Sequence, residues 1–133
     1  MESSLRELAS YRMERAREML SASEDNLHMG QYRTVLNRSY YAIFHAMRAA
    51  NILEGYDSSK HSGVIAFFNK TFLKENRMER SLSQIIKDSS YLREKSDYDD
   101  FYIASKTEAE LQLKNALSFV DAVESYLKQH EII

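Results

Sequence analysis

QYRTVLNRSYYAIFHAMRAANIL, residues 31–53, decides the fold of this chain. Its apolar residues Val35, Leu36, Tyr40, Ile43, Phe44, Met47 and Ala50 recur at helical spacing. They form a face too broad for a helix lying on a surface, so the stretch reads as the central helix of a bundle. Gly30 stands just before it and EGYDSS, residues 54–59, just after, both with the composition of turns.

Working outward, Ser4 and Glu7 have capping-box spacing, which predicts a first helix from near residue 5 up to Gly30. Leu5, Leu8, Tyr11, Ala16, Met19, Leu20 and Leu27 mark its apolar side. Arg6, Arg12, Arg15 and Arg17 are matched by Glu2, Glu7, Glu14 and Glu18, a pattern expected of a charged solvent face. A third helix is predicted from Lys60, with Val64, Phe67, Phe68 and Leu73. A fourth is predicted over 78–95, with Leu82, Ile85, Ile86 and Leu92. SDYDDFYIAS, 96–105, reads as a loop. Ser105 and Glu108 form a second capping box, opening a last helix to about Gln129.

The totals agree with this outline. The 133 residues suit one domain, and the chain has no proline and three glycines, so few residues interrupt a helix. The expected architecture is all-α, a bundle of four to five helices in one domain, 1–133. No cysteine means no disulfide and no thiolate metal site, in keeping with a cytoplasmic location. No apolar run is long enough to span a bilayer, and the opening MESSLRELASYRMERAR has no apolar signal core. The net charge of −2 divides into +1 over residues 1–51, +2 over 52–87 and −5 over 88–133. That is not the footprint of a protein that coats nucleic acid by bulk charge, although it leaves room for a local arginine site.

Arg38 and His45 carry the chemistry. Seven residues on a helix are two turns less about 20°, so the pair shares one face of the central helix, about 10 Å apart along its axis. Arginine grips phosphate with a planar fork, and histidine exchanges protons near neutral pH. Together they suit RNA cleavage: a base takes the 2′-hydroxyl proton, the oxygen attacks phosphorus, an acid protonates the leaving 5′-oxygen and a cation steadies the phosphate. No metal or cofactor is needed when the 2′-hydroxyl is the nucleophile. One histidine does not easily serve as acid and base together, so a two-fold homodimer pooling two such pairs is the expected assembly. The spacing has a plain alternative, a polar helix face. Ten arginines and four histidines in 133 residues yield about one such spacing by chance.

The wider string NRSYYAIFHAMRAA closely resembles the central motif of HEPN domains, an all-α family, and its small stand-alone prokaryotic members in particular. A glycine ahead of QYRTVLNRSYYA, then KHSGVIAFF at 60–68 and REKSDYDDF at 93–101, agree in order and spacing, so the likeness covers nearly the whole chain. The resemblance implies an up-and-down helical bundle that dimerises. It also implies a metal-independent endoribonuclease site of an arginine, four to six residues and a histidine, which here are Arg38 and His45. Ser39 fits the polar residue that often follows the arginine. Asn37 and Ser39 are candidates for orienting the phosphate, and Tyr41 is a candidate for contacting a base, with packing as the alternative for Tyr40, Tyr41 and Phe44. The family's context implies a toxin held in check by a small nucleotidyltransferase antitoxin; the alternative is a non-catalytic interaction or nucleotide-binding module. One departure concerns that antitoxin: Met47 stands where the best-known toxin subgroup has a tyrosine that accepts nucleotides.

Other polar residues have readings of their own. Lys60 and His61 open a helix, where an anion or plain solvent is expected. Asp97, Asp99 and Asp100 suit a magnesium ion or, more simply, a turn.

Overall fold

In a computed structural model that describes residues 3–130, 132 and 133, the chain is all helical. The helices are α1 (Ser3–His28), α2 (Tyr32–Ile52), α3 (His61–Phe68), α4 (Leu82–Tyr98) and α5 (Lys106–Gln129), and a π-turn (Asn69–Leu73) continues α3. No strand occurs among the described residues. Helix α1 already includes Ser3 and Ser4, ahead of the start expected from the capping box. Glu2, assigned above to a charged face, lies outside the described residues.

Helix α2 is the hub. Thirteen of its residues are buried, including Val35, Leu36, Tyr40, Ile43, Phe44, Met47 and Ala50, the whole apolar face expected from the sequence. It packs most extensively on α1 and next on α5. Gly30, at φ +73°, reverses the chain between α1 and α2 in a left-handed conformation that side chains resist. The two helices are therefore antiparallel, with the Ser23 and Ser39 hydroxyls 2.8 Å apart in the buried seam. The stripe that α1 buries is Ala9, Arg12, Met13, Ala16, Leu20 and Ser23; Tyr11, expected on the apolar side, is 56% exposed.

Behind α2 the core is aromatic. Phe68 of α3 contacts Phe72 of the π-turn and Phe119 of α5, with ring centroids 5.3 and 5.5 Å apart. Gly63 permits a close approach. A Cβ at this position would stand 2.5 Å from the Tyr56 hydroxyl, and the Tyr56 ring is stacked on Phe67 at 4.3 Å. Gly63→Ala should therefore lose about 1 kcal/mol, overcrowding outweighing the better helix propensity. Adding Tyr56→Phe should recover it. Urea unfolding of the single and double variants checks this, and equal stability of Gly63→Ala and wild type would count against the contact.

Helix α4 runs on to Tyr98, three residues past its expected end. The Arg33 guanidinium explains the extension. It donates to the carbonyl oxygens of Ser96 and of Asp99, the latter at 2.7 Å, satisfying groups that a helix end leaves without partners. Ser105 caps α5 with the full reciprocal capping box to Glu108.

Candidate functional site

From Val35 onward along α2, the residues left between buried and exposed are Asn37, Arg38, Tyr41, His45 and Arg48. Successive turns bring them onto one stripe, bordered by α1 on one side and by α3 and α4 on the other. Arg38 and His45 both lie on it, as their spacing requires, and no hydrogen bond joins them among the described residues. Arg38 Nη1 donates instead to Asn37 Oδ1 at 2.8 Å. Ser39 lies off the stripe. It is fully buried against α1, where its hydroxyl meets Ser23, so its direct part is in seating α2. Tyr41 is half-buried, its ring edge-on to Tyr40 at 5.3 Å and to His61 at 5.7 Å.

His45 has an unusual setting. Burial and the neighbouring guanidinium groups of Arg15, Arg48 and Arg12 lower its pKa from 6.5 to about 4, against a smaller opposing pull from Glu18. It is thus a neutral imidazole at physiological pH. No hydrogen bond engages its ring among the described residues. Arg12, expected in solvent, is 8% exposed and reaches across to α2. Its Nη1 donates to the Arg48 carbonyl at 3.3 Å and its Nη2 to Asp57 at 3.0 Å. Arg48 donates to the same carboxylate oxygen at 2.9 Å. One carboxylate thus sits between two arginines beside His45, and those hydrogen bonds hold its pKa below the usual range. Arg17 also leaves the expected solvent face, pairing with Asp121 and Glu124 of α5 at 2.8 and 2.9 Å.

The depressed pKa has a consequence for stability. Between about pH 6.5 and 4 the unfolded chain takes up a proton at His45 and the folded chain does not, so stability falls as the pH drops through that window. Solvent screening of this partly exposed ring reduces the effect to about 1–2 kcal/mol. His45→Gln should lose less stability than wild type on going from pH 7 to 4.5, measured by urea unfolding. Parallel losses would show that the ring is not held neutral.

On the other border, His61 of α3 stacks on Phe44 at 4.4 Å and on Tyr40 at 5.5 Å. Its Nδ1 is 2.8 Å from the Tyr40 hydroxyl and 3.4 Å from Arg93 Nη2. Arg93, 8% exposed, lies over the Tyr40 ring at 4.8 Å and pairs with Asp97 at 3.5 Å. Asn37 Nδ2 donates to Asp97 at 3.3 Å. A polar chain therefore runs from Arg38 through Asn37, Asp97 and Arg93 to His61. Burial pushes the Tyr40 hydroxyl up to about 12, so it stays protonated. Asp97 is committed to this chain, and Asp99 accepts from the Phe101 backbone N–H at 3.1 Å. Among the described residues no three His, Cys, Asp or Glu side chains converge to hold a metal.

Sequence spacing could have flagged Arg48, three residues after His45 on the same face. Arg93 and Asp57 carry no such signal, because only the tertiary packing of their segments brings them to α2.

The HEPN domain family model matches residues 9–126. "Putative toxin MJ0605" of Methanocaldococcus jannaschii is 35% identical over 125 residues, which cover 94% of this chain and 92% of that protein. "Putative toxin MJ0142" of the same organism is 31% identical over 121 residues, covering 91% and 82%. A "UPF0332 protein" of Thermotoga maritima is 29% identical over 121 residues, covering 91% and 92%. In fold, the chain resembles the crystal structure of TT1696 from Thermus thermophilus, with a TM-score of 0.76, 21% identity and coverage of 90% of this chain and 98% of that one. No described helix is long and apolar enough to cross a membrane.

Proposed function

Since the chain belongs to the HEPN domain family, we propose that it is a metal-independent endoribonuclease, acting in the cytoplasm as the toxin of a toxin–antitoxin pair. The observation that carries the reading is the state of His45. It is neutral, free of hydrogen bonds among the described residues, and surrounded by Arg12, Arg15 and Arg48 on the face that also bears Arg38. A neutral imidazole can accept a proton, and the arginines suit an anionic polymer better than an apolar ligand.

In this reading His45 takes the 2′-hydroxyl proton and the 2′-oxygen attacks phosphorus. The bond to the 5′-oxygen breaks, and the products are a 2′,3′-cyclic phosphate and a 5′-hydroxyl end. Arg38, oriented by Asn37, holds the non-bridging oxygens as charge builds on them. The scissile phosphate also offsets the arginine field, raising the proton affinity of His45 when it is needed. Tyr41 borders the path of the strand, and Ser39 acts through the seating of α2. A second copy, packed through α1 and α2, supplies the other His45, which takes up a proton from solvent once the bound phosphate offsets its arginines and then gives it to the leaving 5′-oxygen. Tyr11, exposed one turn before Arg15, gives that face an apolar contact.

The antitoxin is a nucleotidyltransferase bound to this protein. Met47, where a modified tyrosine stands in one toxin subgroup, is fully buried in the core, so restraint falls to masking of the site. The decisive experiment incubates purified protein with an unstructured RNA in the presence of EDTA. Wild type should cleave it to cyclic-phosphate ends, and His45→Ala should not. Intact RNA at high protein concentration would end the proposal.

A further inference from the structure

Across this face of α2 from His45 stands a second histidine, His61 of α3, that the arginine–histidine motif does not use. Phe44 lies between them. Its ring is 6.2 Å from that of His45 and 4.4 Å from that of His61, so the two imidazole centroids are no more than about 11 Å apart, the sum of those separations. His61 is delivered by another element, the start of α3, and is partly exposed.

Its neighbours favour the tautomer that carries hydrogen on Nε2. Arginine can only donate, and Arg93 points Nη2 at Nδ1. With Nδ1 as acceptor, the Tyr40 hydroxyl at 2.8 Å is its main donor, and Arg93 at 3.4 Å shares the same lone pair more weakly. The hydrogen of the neutral ring therefore resides on Nε2. That N–H has no partner among the described residues. Burial and Arg93 both disfavour a positive charge on the ring, with Glu94 opposing, so the balance favours the neutral donor. Around it stand Tyr40 and Tyr41 of α2 and Arg93 and Glu94 of α4, with Asp97 behind Arg93. The group is a fixed, uncharged hydrogen-bond donor with a buried cation behind it, an arrangement suited to an anionic oxygen.

We propose that His61 is a substrate-contacting residue beside this stripe, donating from Nε2 to a phosphate oxygen of the RNA strand whose scissile phosphate lies at Arg38 and His45. The proposal rests on the ribonuclease reading and adds to it a residue from outside the motif. Tyr40 and Arg93 act as positioning residues, since both touch the ring at Nδ1.

The test uses a non-cleavable 2′-O-methyl oligonucleotide and the full-length protein. Histidine 15N–1H spectra should show His61 as the Nε2–H tautomer, and its Nε2–H signal should move on adding the oligonucleotide. Glutamine can place an amide N–H near Nε2, whereas asparagine reaches only as far as Nδ1. His61→Gln should thus bind within about threefold of wild type and His61→Asn about tenfold more weakly. Tyr40→Phe keeps the ring buried but removes its hydroxyl, and should weaken binding by a few-fold. A signal assigned to Nδ1–H, or oligonucleotide affinity indifferent to His61, overturns the inference. Cleavage that needs His45 but is unaffected in His61→Asn overturns it while sparing the ribonuclease reading. Binding that depends on His61 without any cleavage by wild type does the reverse, leaving His61 a nucleic-acid contact and removing the catalytic reading.

Discussion

Mixed and refolded together, Arg38→Ala and His45→Ala should regain RNA cleavage that neither has alone. Each variant by itself should be slowed by about 10²–10⁴-fold, the usual scale for loss of a proton-transfer group or of charge stabilisation at the reacting phosphate. Neither change touches the apolar core, because both side chains lie on the partly exposed stripe of α2. A mixed dimer retains one guanidinium and one imidazole at the interface, enough to hold the phosphate and take the 2′-hydroxyl proton while water stands in for the missing acid, so part of the cleavage should return with the fraction of mixed dimers. The dimer fraction is read by native mass spectrometry and the cleavage on a fluorescent RNA. If the mixture is as inactive as its components while mixed dimers are present, the site is not shared across the interface. If wild type is an active monomer, the two-fold arrangement is unnecessary.

The largest loss of stability should come from Phe68→Ala. This ring is fully buried, between Phe72 and Phe119. It links α3 and the π-turn to α5, and removing it leaves a cavity that rigid helices cannot close. Truncations of this kind cost about 3–5 kcal/mol, against a total stability of about 5–15 kcal/mol for a domain. The melting temperature should drop by roughly 10 °C or more. Tyr91→Ala serves as the control: its ring is 58% exposed and its loss should fall within about 0.5 kcal/mol. A Phe68→Ala loss below about 1 kcal/mol would mean that the aromatic cluster is not closely packed.

Local signals are the legible ones. The apolar face of α2, the turn at Gly30 and the capping box at Ser105 depend on neighbours within a few residues, and all three appear as the sequence predicts. The fourth helix outruns its predicted C-terminal end because its carbonyls are satisfied by Arg33, more than sixty residues earlier in the chain. The π-turn is not foreseeable, since its wider winding has no compositional mark in NKTFL.

The site divides in the same way. Helical geometry alone puts Arg38 and His45 on one face. What it does not reveal is their company. In the sequence Arg12 is one member of a solvated charge pattern; in the fold it is buried because Asp57 and the Arg48 carbonyl receive its donors. His61 reads as an ordinary helix start; its setting comes from stacking on Phe44 and from an arginine on α4. Such convergence depends on how helices cross, information spread over the whole chain.

The seam between α1 and α2 has a mechanical consequence. Ala9, Ala16 and Ser23 recur every seven residues along α1, facing a helix that buries Ser39, Ala42, Ala46 and Ala49. The alanines have no rotamers to change, the two serines are held by their mutual hydrogen bond, and side chains this small bring two backbones close together. The hairpin is therefore a stiff rail, unable to slip by a turn or roll without opening voids. Whatever switching this protein undergoes must come from bodies moving over that rail, with its own two helices keeping their mutual setting.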